Sequence, residues 1–297
     1  MPISKVLIAG AQGSLAGALG RMAPADVEVV ALGRGELDIS DDASIRAALE
    51  VHRPELVWNG AAFNAVDKAQ TSEGARDAMR INALGPTLLA LACRDAGIPL
   101  VHFSTDFVFD GRKRSPYTED DATNPLSIYG ASKLAGERAV LAASPRHFVV
   151  RVERLFGPVF DVSTGSGSAA KPGGNFPLLM LRLGRERGRV RVVDDQIGTP
   201  SYNPDIARAA WQLVQNAPGG LYQLSNAGET SFADYAGRIF ALAGVACHVE
   251  RVSSADYGAP APRPLYSTMS SQKAIAMGVA PLRSWDAALE EFLREHG

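Results

Sequence analysis

The sequence predicts an α/β protein, a doubly wound parallel sheet of Rossmann type with a smaller C-terminal α+β lobe, and three observations carry that prediction. Strand and helix patterns alternate through residues 5–152, the cadence that builds a parallel sheet covered on both faces. A glycine-rich turn, Gly10-Ala11-Gln12-Gly13, follows the first strand directly. After Arg151 the rhythm gives way to Gly- and Pro-rich connections between shorter elements.

The elements follow in order. Lys5–Ala9 is a short apolar run stopped by glycine, a buried strand, and Leu15–Met22 fits a helix. Val27–Leu32 reads as the second strand. Ser40 and Asp41 cap a helix running to His52, with acidic residues at its positive end. Leu56–Asn59 is the third strand. Gly74–Ala96 is long enough for one helix, with Gly85-Pro86 perturbing its interior. Ile98–Ser104 reads as a buried strand, Ile128–Ala142 as a helix and His147–Val152 as a strand. Residues 163–174, STGSGSAAKPGG, are small, polar and Gly-rich, the composition of a flexible loop. A strand at Val190–Val193, a helix at Pro204–Gln215, a strand at Leu221–Leu224 and helices at Ser231–Ala243 and Trp285–Glu295 complete the chain. Pro260, Pro262 and Pro264 make Gly258–Pro264 an irregular connector.

Composition narrows the function classes. Thirty Lys+Arg against thirty-two Asp+Glu leave a net charge of −2, which gives no basic footprint for nucleic acid or a membrane surface. No apolar run approaches the roughly 18 residues that span a bilayer. The N-terminus runs straight into a strand and carries no signal-peptide layout. Cys93 and Cys247 lie far apart in helix-like contexts, so no disulfide framework is expected and the address is cytoplasmic. The five histidines are scattered, without ligand spacing, and no metal site is assigned.

Gly10, Gly13 and Ala16 form a G-x-x-G-x-x-A pattern between strand and helix. Glycine permits the tight turn and close backbone approach to a pyrophosphate, and the helix start offers free N–H groups to that anion. Residues 1–150, with about 188–218, are therefore expected to be a NAD(P)-binding domain. Residues 151–187 and 219–297 are expected to form a substrate-binding lobe. The second strand ends Ala31-Leu32-Gly33-Arg34, with no carboxylate for the adenosine ribose. An arginine there pairs with a 2′-phosphate, so NADP(H) is preferred and NAD(H) admitted, with Asp38 and Ile39 near the adenine.

Tyr129 and Lys133 stand four apart on a helix and share a face. A nearby ammonium favours the phenolate, which makes tyrosine an acid–base group near neutral pH. Ser104-Thr105-Asp106 ends the strand IPLVHF, where an open α/β sheet binds its ligands.

With these residues in place the chain resembles the extended short-chain dehydrogenase/reductases, and among them the dTDP-4-dehydrorhamnose reductase family. The likeness runs through GAQGSLAGAL, LDISD, NGAAFNAVDKAQ, INALGP, STDFVFDG, YGASKLAGE, VVDDQIGTPSY and APRPLYSTMSS. It implies reduction of the 4-keto group of dTDP-4-dehydro-L-rhamnose by NAD(P)H, giving dTDP-L-rhamnose. Tyr129 would donate the proton, Lys133 would lower its pKa and grip the nicotinamide ribose, and Thr105 would hydrogen-bond the reacting oxygen. Gly13, Ser14 and Leu15 would wrap the pyrophosphate. Asp38 and Ile39 would lie by the adenine, and Ala62, Phe63 and Asn64 would line the cofactor. Val66 and Asp106 would touch the sugar. A homodimer, and magnesium-assisted assembly through glutamates such as those of Leu289-Glu290-Glu291-Phe292, stay open.

Three departures bear on the sugar. Arg154 stands where the family pattern R-T-x-W-V-Y-G has its tryptophan, and is expected to reach the diphosphate or a sugar hydroxyl. Phe107 replaces a common tyrosine, and Val159–Gly174 is long and Gly-rich for its place, a flap or a surface insertion. Two alternatives follow: a reductase of another nucleotide 4-ketosugar, or a catalytically silent regulatory subunit on the same scaffold, as the beta subunit of methionine adenosyltransferase resembles this family.

Overall fold

A computed structural model describes residues 3–160, 167–168 and 175–297. The loop expected at 163–174 and its reading as a flap lie outside the described residues apart from Gly167–Ser168.

The chain starts with β1 (Lys5–Ala9), α1 (Ser14–Arg21), β2 (Glu28–Leu32), α2 (Asp42–His52) and β3 (Leu56–Asn59). Asp41 caps α2 by accepting from the Ala43 N–H, as its position predicts. The segment expected as one helix over 74–96 is broken. It comprises α3 (Ser72–Met79), a single π-helical turn at Arg80–Leu84 and α4 (Gly85–Asp95), whose first turn holds Pro86. Pro86 has no N–H to continue the ladder, so the register slips just before it. Next come β4 (Leu100–Thr105), α5 (Ile128–Ala143) and β5 (Phe148–Val152).

Short pieces follow: β6 (Leu155–Phe156), then β7 (Val159–Phe160) paired antiparallel with β8 (Gly167–Ser168). The rest comprises α6 (Phe176–Arg187), β9 (Arg189–Val193), β10 (Ile197–Gly198), β11 (Ser201–Tyr202), α7 (Asn203–Asn216), β12 (Gly220–Gln223), β13 (Thr230–Ser231), α8 (Phe232–Ala243), β14 (His248–Val252), α9 (Ser254–Tyr257), α10 (Gln272–Ala276) and α11 (Trp285–His296).

Six strands make one parallel sheet in the order β2-β1-β3-β4-β5-β12. The winding reverses between β1 and β3, which opens a crevice beyond their C-terminal ends. Alternate residues of β1 serve opposite faces. Val6 and Ile8 join Trp58, α1 and α7 in one core, while Leu7 and Ala9 join Val57, α2 and α4 in the other. This double burial is why the central strands read as unbroken apolar runs. Trp58 stacks on Phe103 at 6.1 Å and meets the edge of Trp211 at 5.1 Å, and the Trp211 indole N–H donates to the Leu19 carbonyl, tying α7 to α1.

The smaller lobe is built around β9, which pairs in parallel with β14. Its core, including Phe156, Tyr202, Tyr235, Ile239 and Phe292, is shared by α6, α8 and α11. Two expected placements differ. The strand at Val190–Val193, grouped above with the first domain, belongs to this lobe, and β12, grouped above with the lobe, is the sixth strand of the large sheet. The reason is visible in burial: Arg189 and Arg191 of β9 face solvent while Val190 and Val192 are buried, the alternation of a half-covered sheet. Helix α6 and strand β14 had no clear sequence signal, since β14 reads His-Val-Glu-Arg-Val and is largely uncovered. Cys93 lies in α4, but Cys247 sits in the connection between α8 and β14 rather than in a helix, and both are free thiols. Among the described residues no helix is long and apolar enough to cross a membrane.

Candidate active site

The crevice beyond β1, β3 and β4 holds a cavity of about 340 Å³. Its wall gathers Gly13, Ser14, Leu15, Ala62, Asn64, Val66, Thr105, Asp106, Tyr129, Lys133 and Arg154, eleven of the residues singled out from the sequence. Gly10, Arg34, Asp38, Ile39 and Phe63 are not on that wall.

Gly10 acts from below. It has φ +85°, and a Cβ there would lie 2.7 Å from the Ala61 nitrogen, so only glycine lets β1 turn so close to the chain leaving β3. Gly13 is the N-cap of α1 and no side chain caps that helix, so its first-turn N–H groups are left for a ligand. Arg34 is exposed at the end of β2. Asp38 is locked in its own turn, accepting from the Ser40 N–H and hydroxyl, and those bonds, helped by Arg34 and Arg80, hold its carboxyl below the usual range. The Ile39 side chain is buried in the core beside Gly85.

Phe63 is fixed through its backbone. Asn82, fully buried in the π turn, accepts from the Phe63 N–H at 2.8 Å and donates to the Phe63 carbonyl at 3.0 Å and to the Ser132 hydroxyl at 3.1 Å. Asn82 is thus a positioning residue that the sequence reading passed over, although it lies in the quoted INALGP. The irregular turn that aims its amide is not legible in a helical pattern.

Helix α5 brings Tyr129 and Lys133 to the cleft. Ser127 caps it, accepting from the Gly130 N–H. A Cβ at Gly130 would overlap the Phe107 carbonyl oxygen, so glycine here lets the helix start touch the loop after β4. Tyr129 is buried with its ring edge-on to Phe107 at 5.5 Å, and Thr105 stands beside its hydroxyl. Lys133 is also buried and donates to the Phe103 carbonyl at 2.5 Å.

The expected direction of the tyrosine pKa is overturned. Burial, with Asp106 adding to it, pushes the Tyr129 phenol up, and the Thr105 hydrogen bond only partly offsets this. The same burial brings Lys133 down to about 8, against the pull of Glu137. Both side chains reach the cleft from α5, and at the phenol desolvation, not the neighbouring amine, is the dominant influence.

Asp106 accepts from the Thr105 hydroxyl at 2.9 Å. Glu153, unassigned by the sequence reading, also lines the cleft, where its carboxylate accepts from the N–H groups of Thr199 at 2.7 Å and Met269 at 3.1 Å. Its only sequence signal was an acidic residue at the end of an apolar strand. Arg154 is half-buried in the cleft wall. Its φ of +42° turns the side chain inward, the guanidinium lies 4.0 Å over the Phe232 ring, and Nη1 donates to the Thr230 carbonyl.

Phe232 also lines a second cavity, of about 740 Å³, in the smaller lobe, together with Phe176, Arg187, Arg189 and Arg263. Arg263 is bonded to Asp67, next to Val66 of the first cavity. Arg154 and the Val66–Asp67 segment therefore separate two adjoining spaces. Glu291 is engaged by Arg283, and the described residues contain no cluster of three or more His, Cys, Asp or Glu placed to hold a metal.

Comparison with known proteins agrees with this geometry. The family described as RmlD substrate binding domain matches residues 4–297. The chain is 40% identical to the dTDP-4-dehydrorhamnose reductase of Streptomyces griseus, over 98% of this chain and 93% of that protein. It is 39% identical to a probable dTDP-4,6-dihydroxy-2-methyloxan-3-one 4-ketoreductase of Streptomyces antibioticus, over 96% and 93%. The solved structure of the Bacillus anthracis dTDP-4-dehydrorhamnose reductase in complex with NADP superposes with a TM-score of 0.90 at 33% identity, covering 99% of this chain and 100% of that one.

Proposed function

This chain belongs to the RmlD substrate binding domain family, and on that premise we propose that it is an NADP(H)-dependent reductase converting dTDP-4-dehydro-L-rhamnose to dTDP-L-rhamnose. The observation that carries the chemistry is the Tyr129 hydroxyl, buried beside Thr105 in a cleft whose other wall is the uncapped start of α1. The residues fit a dinucleotide. The open N–H groups at Gly13–Leu15 suit its diphosphate, Lys133 suits a ribose hydroxyl, and the buried Ser104 hydroxyl has no partner among the described residues. When bound, NADPH supplies the hydride.

The protein's own residues handle the proton. Tyr129 gives its phenolic proton to the oxygen at C4 as that oxygen becomes an alkoxide. A phenol held up by burial is fully protonated at neutral pH, the state that reduction requires, and the alkoxide is the stronger base. Thr105 keeps the reacting oxygen beside that proton, and the Lys133 ammonium stabilises the tyrosinate left behind. Asp106 and Arg154 face the sugar. The larger cavity, with aromatic Phe176 and Phe232 and the cations Arg187, Arg189 and Arg263, suits the base and diphosphate of the nucleotide. A cytoplasmic address is part of this reading and is supported by two free thiols.

A second reading keeps the reaction and changes the hexose. It is favoured by Arg154, which puts a cation where a flat apolar ring would otherwise stack on the sugar. The deciding experiment follows NADPH and NADH oxidation with dTDP-4-dehydro-L-rhamnose and with its 6-deoxy-4-ketohexose isomers. Oxidation with the rhamnose precursor supports the first reading, and oxidation only with another isomer supports the second. No oxidation with any of them by correctly folded protein defeats both and leaves the silent scaffold.

A further inference from the structure

In a nucleoside-diphosphate sugar the diphosphate links the base end to the hexose, so here it has to cross where the larger cavity meets the cleft. One charged contact spans that border. The Asp67 carboxylate accepts from the Arg263 Nη2 at 2.9 Å and from the Ala261 N–H at 3.1 Å, joining residues 196 and 194 positions apart in the chain. Ala261, Pro262 and Arg263 line the larger cavity, while Val66, beside Asp67, lines the cleft.

Residues 259–264 form a strap along that cavity. Pro260, Pro262 and Pro264 leave it backbone N–H groups only at Ala259, Ala261 and Arg263. Among the described residues, every hydrogen bond that ties the strap to another segment ends on Asp67. Within the strap, the Arg263 Nη1 donates to the Ala261 carbonyl at 2.8 Å. The guanidinium is therefore held at both terminal nitrogens and keeps its remaining N–H groups for an anion. Two other cations of the cavity, Arg189 and Arg191, pair with Glu250 of β14 inside the lobe.

From this arrangement we propose that Asp67 is a positioning residue for the nucleotide: it fastens the strap across the domain border and presets Arg263 to meet the substrate's diphosphate. The proposal rests on the reductase reading above, which puts a nucleoside diphosphate in the larger cavity. An arginine already held in place has less side-chain freedom to lose when the anion arrives. Both carboxylate oxygens of Asp67 are spent on the strap, so it acts through Arg263. Asp67 also precedes a single 3₁₀ turn, Lys68–Gln70, whose Ala69 is buried with Tyr129, and Gln70 accepts from the Ile128 N–H at 3.0 Å. The segment that carries Asp67 thus borders the proton donor as well, and a hold on the nucleotide has to be told apart from a hold on Tyr129.

Asp67→Asn keeps an acceptor for the Ala261 N–H and removes the charge that faces Arg263. Titration calorimetry with dTDP and with NADPH is run on wild type, Asp67→Asn, Arg263→Ala and the double variant. Asp67→Asn should weaken dTDP binding by about tenfold and leave NADPH binding unchanged. Steady-state assays with the nucleotide 4-ketosugar should place the loss in KM, with kcat within about threefold of wild type. In the Arg263→Ala background, Asp67→Asn should add less than about a twofold loss, because its effect passes through that guanidinium. A fall in kcat at unchanged KM assigns Asp67 to holding Tyr129 and overturns the proposal. Tighter dTDP binding also overturns it, since Asp67 is then a rival of the diphosphate for Arg263, and so do additive losses in the double variant. Hydrogen exchange reads the strap without any ligand. The Ala261 N–H should exchange more slowly than the Ala259 N–H in wild type and lose that protection in Asp67→Ala; equal exchange of the two in wild type removes the fastening. Wild type that binds no dTDP defeats the nucleotide reading of the cavity, whereas unaltered dTDP affinity in Asp67→Asn defeats this proposal alone.

Discussion

Glu137→Gln should separate the structural electrostatics of α5 from its chemistry. Glu137 lies one turn beyond Lys133 and forms a two-pronged ion pair with Arg151 of β5, at 2.5 and 3.0 Å, with the side chains only 2% and 3% exposed. The Arg151 guanidinium also lies 4.9 Å over the Phe109 ring, and its Nη1 has no partner among the described residues. Glutamine keeps the shape and one acceptor but leaves the buried cation without its counter-charge. Breaking a buried pair in this way costs about 3–5 kcal/mol, and the retained acceptor places the loss near the lower end. With an unfolding entropy of roughly 2.1 cal/mol/K per residue, a loss of about 3 kcal/mol lowers Tm by about 5 °C in a chain of this length. Urea unfolding and calorimetry measure both quantities. The double variant Glu137→Leu, Arg151→Met should recover most of the loss, because apolar residues of similar volume replace a buried pair at little cost. A single variant within about 1 kcal/mol of wild type, or a double variant as unstable as the single, would refute this account of the pair.

Further outcomes follow from the same geometry. Tyr129→Phe should lower turnover by about 10²–10⁴-fold while NADPH binding, measured by fluorescence titration, persists; near-normal turnover would remove Tyr129 as the proton donor. Lys133 carries its charge only below about pH 8, so kcat/KM should fall above that pH, and the fall should disappear in Lys133→Arg. The unfolded lysine titrates near about 10.4, so between the two values the unfolded chain holds more protons. The stability contributed by this group therefore rises over the pH range where activity falls, and thermal melts at pH 8 and 10 check the sign. Arg34→Ala should raise KM for NADPH and leave KM for NADH nearly unchanged; equal effects on both would free Arg34 from any role at a 2′-phosphate.

Local chemistry made much of this protein readable in advance. The apolar runs of β1, β3 and β4 announce strands covered on both faces. Gly10 and Gly13 announce a turn too tight for side chains, and the spacing of Tyr129 and Lys133 announces a shared helical face. Each of these depends on residues a few positions apart, which backbone geometry ties together before the chain has folded. Other features needed the folded molecule, because they depend on what comes near from elsewhere in the chain. The partners of β9 and β12 are set by which faces remain uncovered once the lobe assembles. Asn82 reaches Phe63 only because Pro86 forces a π turn ahead of it. The direction of the Tyr129 and Lys133 shifts follows from how completely Phe107 and the walls around them exclude water. The gathering of Glu153 and Arg154, which follow β5, with Asp106, which follows β4, in one cleft wall is likewise tertiary, and nothing in the order of the residues states how little solvent is left around them.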